Sequence, residues 1–450
     1  MLKSEFINFK GEIYFKEDLN YEEKRLCWNR AIDKKPFVIA YCKDNNDIKI
    51  CLELIKKHNV PFRIRSGAHH YEGFSTGEDV FVIDVSKMDK INLDIEQNTV
   101  QISAGTRNRE VYEAVCKYHI PFPGGGCPTV GAVGYTLGGG WGYSARYLGL
   151  GIDNLLEVEL LNYNGNLIKA NATQNPDLFW ALKGAGSGNF GIVTSMTFNL
   201  PKKVQMCTLV LAEIRNITTK NMVPIFNSWL NEIQNLDPRL NMKVAFYNDH
   251  IKGLGIKITG IFYGEKNEAL NELKKITIDY DWNYNLQEMS ILDINRWIQD
   301  NHPDYEFYKS NGRFIDDKFN NESIEEILNI LNEKINTTSY TAVSLYGMSG
   351  NIKNNFKDNN SFAYRNAKGI LGFQVVWEDE YKSYKAENEK WVVEHSEIIK
   401  KATYGSFVNF PLAELNDYMK EYFNENTEEL KEIKKEYDPY NFFNFEQSIK

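Results

Sequence analysis

Two reactive side chains, the imidazole of His69 and the thiol of Cys127, lie in glycine-rich segments of this 450-residue chain. Nine of its 31 glycines fall between residues 124 and 142, the segment that contains Cys127. An interior glycine costs about 0.5–1 kcal/mol relative to alanine, so this density indicates backbone that approaches a ligand closely or takes positive φ. A flexible linker is the alternative, but the segment also holds large apolar residues that favour burial. We therefore predict a folded glycine-rich wall around a large ligand, with N–H groups free to bind an anion.

The adjacent histidines His69 and His70 lie in a second turn-rich segment, residues 63–77. A surface loop or a zinc site is the simpler interpretation of such a pair. Adjacent histidines point in opposite directions in extended chain, however, and no third ligand stands at zinc spacing, so no metal is predicted. The loop is expected to contact the same ligand as the glycine-rich wall.

Hydrophobic periodicity predicts the elements that position these segments. Residues 36–120 alternate short strands and helices, whereas after residue 201 glycines become rare and amphipathic helices alternate with strands. This pattern predicts domains at residues 1–201 and 202–400, and a segment 401–450 whose aromatic tail packs back onto the first domain. Strands are predicted at 36–41, 60–65, 80–85, 99–103, 155–161, 166–170, 192–200, 242–247, 256–263 and 340–346. Helices are predicted at 44–58, 109–119, 220–236, 266–276, 323–333, 414–421 and 427–436.

Composition and missing motifs exclude several classes of protein. The net charge of −9 comes without a concentrated basic segment, which argues against nucleic acid as a partner. Charges interrupt the N-terminus where a signal peptide needs an apolar core, and no apolar run approaches the ~20 residues of a membrane span. The six cysteines form no CxxC pair, so reduced thiols and a cytoplasmic location are expected. A dinucleotide fingerprint is matched only formally by Gly186, Gly188 and Gly191, because a strand-like run follows where a helix is needed.

Several motifs, in this order along the chain, resemble the berberine bridge enzyme-like branch of the FAD-linked oxidases. They are Arg65-Ser-Gly-Ala-His69-His-Tyr71-Glu-Gly73, Gly126-Cys127-Pro-Thr-Val130-Gly131, Gly138-Gly-Gly-Trp-Gly142 with Arg146 and Asp153-Asn154, Asp177-Leu-Phe-Trp180, Gly188-Asn-Phe-Gly191-Ile192, and Tyr437-Asp-Pro-Tyr-Asn441 through Gln447-Ser-Ile. The resemblance covers nearly the whole chain. It implies an α+β fold, with a PCMH-type FAD-binding domain of two subdomains and an antiparallel-sheet substrate domain covered by helices.

The resemblance also implies covalently bound FAD. In the family the histidine that matches His69 bonds to the flavin 8α-methyl and the cysteine that matches Cys127 bonds to C6, so two links are expected. The residue that matches Val130 is regarded as a gate for oxygen, and valine is the oxidase-type choice, whereas Ala68 departs from a family glycine. The predicted cofactor-binding residues are Arg65, Ser66, Gly67, Ala68, His69, His70, Cys127, Val130, Gly131, Gly134, Leu137, Gly138, Gly139, Gly142, Tyr143, Gly191, Ile192, Asn441 and Phe443.

The catalytic base does not carry over from the resemblance. The family often uses the tyrosine of a Tyr-x-Asn motif, which reads Phe407-Val-Asn409 here, or a glutamate on a strand where this chain offers Gln374. Either Tyr346 or Tyr71 serves as the base, with Asn409 as a third predicted catalytic residue. Alternatively, a substrate with an activated C–H or an acidic phenol needs little base, or turnover is lost and only flavin binding remains.

The function predicted by the resemblance is oxidation of a C–H bond in a sugar or secondary-metabolite substrate. Hydride passes to flavin N5, and O2 serves as the acceptor and gives H2O2. The alternatives are a catalytically silent binder of flavin or metabolite, and a flavin dehydrogenase with another acceptor. The partners expected are a small-molecule substrate and O2, without nucleic acid or membrane.

Overall fold

The computed structural model describes residues 1–278, 280–316, 319–333, 337–354 and 359–450. The strands in these ranges are β1 (Glu12–Phe15), β2 (Val38–Tyr41), β3 (Phe62–Arg65), β4 (Phe81–Asp84), β5 (Ile91–Asp94), β6 (Thr99–Ser103), β7 (Leu155–Leu161), β8 (Leu167–Asn171), β9 (Ile192–Asn199), β10 (Cys207–Arg215), β11 (Leu240–Asp249), β12 (Gly253–Phe262), β13 (Asn283–Met289), β14 (Phe307–Ile315), β15 (Tyr340–Gly347), β16 (Gly369–Trp377) and β17 (Tyr404–Ser406).

The α-helices are α1 (Tyr21–Lys24), α2 (Asn45–His58), α3 (Asn108–Val115), α4 (Ala132–Leu137), α5 (Ala145–Leu148), α6 (Pro176–Leu182), α7 (Thr219–Glu232), α8 (Lys266–Lys274), α9 (Ile291–Asp300), α10 (Asn321–Asn329), α11 (Asn351–Asn354), α12 (Lys385–Ala402), α13 (Tyr418–Phe423) and α14 (Thr427–Tyr437). Short 3₁₀ turns occupy Lys3–Glu5, Cys116–Tyr118, Gly151–Asn154, Ile330–Asn332, Asp379–Tyr384 and Asn424–Asn426. Within the described ranges, no helix is both long enough and apolar enough to cross a bilayer.

Helix α2 shows how the sequence determines where an element begins and ends. The side chain of Asp44 accepts hydrogen bonds from the backbone N–H groups of Asn46 and Asp47, which the helix itself leaves unpaired. At the other end Asn59 takes the left-handed conformation with φ of 49°, and Pro61 prevents any continuation. The chain therefore turns at once into β3, which leads to the histidine loop.

Two sheets are built from the first 200 residues. The first has the order β1-β2-β4-β3, with β1 antiparallel to β2 and with β4 parallel to both β2 and β3. The second has the order β5-β6-β9-β7-β8 and is antiparallel throughout. At the ends of β3 and β4 the buried side chains of Arg65 and Asp84 form an ion pair of 2.5 Å. This pair fixes the point at which the histidine loop leaves the first sheet.

The third sheet has eight antiparallel strands in the order β13-β10-β12-β11-β15-β16-β14-β17. Alternation along β11 separates its two faces. Val244 and Phe246 are buried in a core that includes side chains of α7, α10 and α12, such as Trp229. Lys243 and Ala245 point to the opposite face, which lines a cavity. One face of this sheet is therefore structural, and the other is available to a ligand.

The C-terminal tail is fastened by a buried ammonium group. Lys434 Nζ lies 2.7 Å from the Asp438 carboxylate, and it donates hydrogen bonds of 2.6 Å to the Asn189 carbonyl and 2.7 Å to the Phe443 carbonyl. Buried charges need such partners. The tail is thereby held against the glycine-containing segment that includes Asn189.

The predicted α+β fold with a helix-covered antiparallel sheet is confirmed. The predicted helix at 414–421 is wrong in its first turn, because α13 begins only at Tyr418. The Gln447 side-chain amide donates to the carbonyls of Leu412 and Ala413 at 2.9 and 3.4 Å, so the tail holds this stretch as a turn. The strands β1, β5, β10, β13 and β14 were not predicted. The last strand of the third sheet lies beyond residue 400, the boundary predicted for the second domain.

Candidate active site

A single cavity of about 600 Å³ brings the predicted segments together. Its walls are the histidine loop, the glycine-rich segment, the open face of the third sheet and the C-terminal tail. Volumes of roughly 300–1,000 Å³ are typical of small-molecule and cofactor sites. The cavity is therefore large enough to be the main ligand site of the molecule.

The histidine loop and the glycine-rich segment touch through their main chains. A Cβ on Gly67 would overlap the backbone nitrogen of Gly131 and would lie 2.8 Å from the Thr129 carbonyl oxygen. The Ser66 hydroxyl donates to the Ala104 carbonyl at 2.8 Å, which holds the loop from its other side. Only glycine permits this approach, so the two predicted ligand-binding segments form one continuous surface.

His69 is oriented by two neighbours. Its ring stacks on the Trp28 indole, with ring centroids 5.1 Å apart and an angle of 22° between the planes. Its Nε2 lies 2.7 Å from the Thr129 hydroxyl, which leaves Nδ1 as the ring nitrogen open to another partner. Burial, together with smaller electrostatic contributions from Arg107 and His302, lowers the pKa of the His69 imidazole to about 3. The ring is therefore neutral near pH 7 and keeps a lone pair.

Cys127 lies on the wall of the same cavity, two residues before Thr129. Its carbonyl accepts a hydrogen bond of 3.3 Å from the Asn108 side-chain amide, which fixes the backbone at this point. Burial raises the pKa of the Cys127 thiol, and hydrogen bonds from Thr129 offset part of that shift. The group is therefore a thiol near pH 7 and must lose its proton before it acts as a nucleophile.

The wall formed by α4 has an open space beside it. Gly134 lies within α4 and lines the cavity, and a Cβ built on this residue would meet no atom within 4 Å. By contrast, a Cβ on Gly138, at the end of the same helix, would overlap the side-chain amide of Asn409. Asn409 also donates to the Tyr135 carbonyl at 2.8 Å, so it packs the C-terminal segment against the glycine-rich wall.

Aromatic residues separate the glycine-rich wall from the third sheet. Tyr346 of β15 contacts the Trp141 ring with centroids 4.9 Å apart and an angle of 86°, and the Lys243 ammonium lies 5.5 Å from the Tyr346 ring centroid. Tyr71 contacts the ring of Tyr308 at 4.8 Å, and burial raises the pKa of its phenol above the ordinary value. Both predicted phenols therefore line the cavity, and Tyr71 stays protonated at neutral pH.

Phe407 does not lie on the cavity wall, contrary to the interpretation that it replaces a catalytic tyrosine there. It is buried among the rings of Phe314, Phe362 and Phe410, with centroids 5.9, 6.1 and 5.1 Å away. The residue of this segment that lines the cavity with Asn409 is Phe410. A hydroxyl at position 407 would therefore point into an apolar cluster.

The predicted cofactor residues divide into two groups. Those that line the cavity are Ser66, Gly67, Ala68, His69, His70, Cys127, Val130, Gly131, Gly134, Leu137, Tyr143, Gly191 and Phe443. Those that lie behind its wall are Arg65, Gly138, Gly139, Gly142, Ile192 and Asn441. Arg65 is paired with Asp84, and Ile192 is fully buried in the core of the first sheet. Arg65 and Ile192 therefore stabilise the sheet behind the wall, whereas Asn441 is exposed.

Sequence reasoning missed several polar or aromatic groups that line the cavity, among them Trp28, Lys243, His302 and Glu306. They belong to no recognised motif. The one available signal was the strand-like run that begins at Phe307, which would have placed Glu306 at the start of a strand.

Comparison with known proteins agrees with this architecture. A family model described as FAD binding domain matches residues 36–171, and one described as berberine and berberine like matches residues 406–450. The uncharacterized FAD-linked oxidoreductase YgaK of Bacillus subtilis is 31% identical, and the alignment covers 98% of this chain and 96% of that protein. The fold and these matches define an FAD-dependent oxidoreductase. Within that class, the chain belongs to the berberine bridge enzyme-like family of FAD-linked oxidoreductases.

Solved structures confirm the fold. Berberine bridge enzyme-like 1 of Physcomitrella patens superposes with a TM-score of 0.90 at 24% identity, covering 100% of this chain and 99% of that one. The glucooligosaccharide oxidase of Acremonium strictum, described with a 6-S-cysteinyl, 8α-N1-histidyl FAD, superposes with a TM-score of 0.86 at 19% identity. The match covers 98% of this chain and 97% of the oxidase. At these identities the likeness concerns the fold.

Proposed function

We propose that this enzyme holds its FAD through two covalent bonds, at His69 and Cys127, and oxidises a C–H bond of a small-molecule substrate with O2 as the electron acceptor. The proposal rests on one observation: the His69 imidazole and the Cys127 thiol line the same cavity. The Thr129 hydroxyl lies against His69 Nε2 and leaves Nδ1 facing other partners. The fold relative from Acremonium strictum, in which both kinds of link are named, supports the same pairing.

The cavity fits the cofactor. At Gly67 a Cβ would overlap the backbone of Gly131, so the two segments form a closely packed wall. Beside Gly134 the wall leaves open space, where a flat aromatic ligand can lie against the main chain. When bound, the flavin supplies the hydride-accepting and O2-reducing chemistry. The protein must therefore provide the two attachment points, exclude water and orient the substrate.

The chain's own residues divide these tasks. Neutral His69 presents Nδ1, because Nε2 lies against the Thr129 hydroxyl, whereas Cys127 must first lose its proton. On the opposite side the phenols of Tyr346 and Tyr71 face the space left for the substrate and can hydrogen-bond to it, and Asn409 holds the glycine-rich wall beside them. Asparagine, glutamine and tryptophan side chains on this side suit a sugar or a polar secondary metabolite.

The test of the proposal is the fate of the yellow colour on acid denaturation. Flavin mass is expected on the peptides that contain His69 and Cys127, with one link left in His69→Ala and in Cys127→Ala and none in the double variant. Free FAD in the supernatant of the wild-type protein would overturn the covalent assignment. Flavin that stays attached in the double variant would show that other residues carry the links.

Reoxidation separates an oxidase from a dehydrogenase. Val130 lines the cavity, and its small side chain leaves a path for O2 in the proposed site. The dithionite-reduced enzyme should therefore reoxidise rapidly in air, and a bulkier Val130→Leu variant should do so more slowly. Slow reoxidation of the wild-type enzyme would instead indicate a dehydrogenase that passes electrons to another acceptor.

A further inference from the structure

Glu306 is the one carboxylic acid among the described residues that line the cavity. It directly precedes β14, and backbone hydrogen bonds hold it in place. The Glu306 N–H donates to the Trp28 carbonyl at 3.2 Å, and the Arg30 N–H donates to the Glu306 carbonyl at 2.7 Å. Because Trp28 stacks on His69, the acid is tied to the same corner of the cavity as the proposed flavin attachment.

The carboxyl group of Glu306 forms no interaction that stabilises the described part of the fold. In the described part of the chain it has neither a hydrogen bond nor an ion pair within 4 Å. By contrast, the buried acid Glu72, which follows Tyr71 in the chain, forms an ion pair of 2.9 Å with Lys309. The Glu306 side chain is half-buried at the cavity wall, so its carboxyl group remains open to a ligand in the cavity.

Four other titratable groups on the cavity wall are poor proton acceptors near neutral pH. Burial lowers the pKa of His69 to about 3 and that of His302 to about 4, so both already lack the affinity to hold a proton. Burial raises the pKa of Tyr71 and Tyr308, so neither phenol is ionised.

We propose that the Glu306 carboxylate is the catalytic base of this enzyme, a step that rests on the oxidase function proposed above. In the oxidation of an alcohol, the substrate carbon loses a hydride to the cofactor while the substrate O–H bond breaks. The released proton forms a new O–H bond on Glu306, and the carbonyl product results. The proton then leaves to water, which restores the carboxylate for the next turnover.

The surroundings of Glu306 tune it for this task. Burial raises the pKa of the Glu306 carboxyl to about 7, the Lys243 ammonium opposes that rise, and the Glu378 carboxylate adds to it. A base whose pKa lies near the working pH combines an available carboxylate with sufficient proton affinity. The titratable groups that interact with it from the elements around it are Lys243 of β11, Glu378 after β16, Tyr308 of β14, Tyr340 of β15, Tyr71 and Cys127.

The experiment first measures the acid itself, without a substrate. In the flavin-loaded wild-type enzyme, the infrared band of a protonated carboxyl should disappear and the flavin absorbance should shift with a midpoint near pH 7. Both changes should be absent in Glu306→Gln and retained in the matched control Glu378→Gln, which removes a nearby exposed carboxylate outside the cavity wall. A wild-type titration that persists unchanged in Glu306→Gln overturns the proposal.

Stopped-flow reduction then tests the role, with cellobiose, benzyl alcohol and tyramine as probes. Where a probe reduces the wild-type flavin, the rate should rise about tenfold per pH unit below pH 7 and level off above it. Glu306→Gln should be about 10²- to 10⁴-fold slower at pH 8 and should lose this rise, whereas Glu306→Asp should keep it. Equal rates in wild type and Glu306→Gln overturn the proposal. A wild-type flavin that no probe reduces, beside an intact titration, counts against the oxidase function and leaves the assignment of the titrating acid standing.

Discussion

The open space beside Gly134 predicts that one added methyl group will weaken FAD binding without lowering the stability of the protein. Gly134→Ala places a Cβ where the protein has no atom within 4 Å, inside helix α4. Replacing an interior helical glycine by alanine stabilises a helix by about 1 kcal/mol, so the flavin-free protein should melt at the same or a slightly higher temperature. A methyl group pressed into a packed ligand costs about 1–3 kcal/mol. Since 1.4 kcal/mol is a factor of ten, FAD should bind about 5- to 150-fold more weakly.

The assay needs reversible binding, so the substitution is made in a His69→Ala/Cys127→Ala background, and FAD affinity is measured by quenching of flavin fluorescence. Gly151→Ala is the matched control, because its Cβ would make ordinary contacts of 3.4–3.5 Å and Gly151 does not line the cavity. It should leave both Kd and melting temperature nearly unchanged. Gly67→Ala should lower both affinity and stability, because its Cβ overlaps the backbone of Gly131. If Gly134→Ala binds FAD as tightly as the control, the cofactor does not lie against α4 and the reasoning fails.

Three further outcomes are expected. Arg65→Met leaves the buried Asp84 carboxylate without its partner and should lower the free energy of unfolding by about 3–5 kcal/mol in urea titrations; a loss below about 1 kcal/mol would contradict the pairing. Phe407→Tyr buries a hydroxyl among phenylalanine rings and should cost about 1–3 kcal/mol without speeding flavin reduction, whereas a faster enzyme would place position 407 on the cavity wall after all. Burial lowers the pKa of His70 to about 3, below the ~6.5 of an unfolded histidine, so its neutral form stabilises the fold above pH 6.5 and that contribution falls as the pH drops. Between pH 6.5 and 4.5, thermal melts should show that His70→Gln loses about 1–3 kcal/mol less stability than the wild-type protein. Identical pH slopes for the two proteins would show that this ring does not titrate on unfolding.

Local sequence patterns were sufficient for the parts of the fold that depend on neighbours in the chain. Helix α2 follows from its Asp44 cap and the Asn59 end, and glycine density predicted that the segment around Cys127 forms closely packed main chain. Cys127 was singled out as a thiol in a glycine-rich wall without any knowledge of its partners.

Patterns were insufficient where the site depends on strand pairing over long separations. Lys243 lies opposite Tyr346 because β11 pairs with β15, about a hundred residues later in the chain, and no local periodicity encodes that register. The same limit explains why Glu306 was missed and why Phe410 was not recognised as a residue that lines the cavity. Their facing is set by β14, β16 and β17 together.

The C-terminal tail makes the cavity depend on residues that are synthesised long after His69. Phe443 and Gln447 supply part of the cavity wall, and Lys434 fastens that wall to the Asn189 carbonyl. A growing chain folds its N-terminal part first as it leaves the ribosome, so the surface that carries His69 exists before the cavity is closed. One side of the cavity is missing until residue 447 has emerged. A nonsense mutation before Phe443 would therefore remove part of the cavity wall.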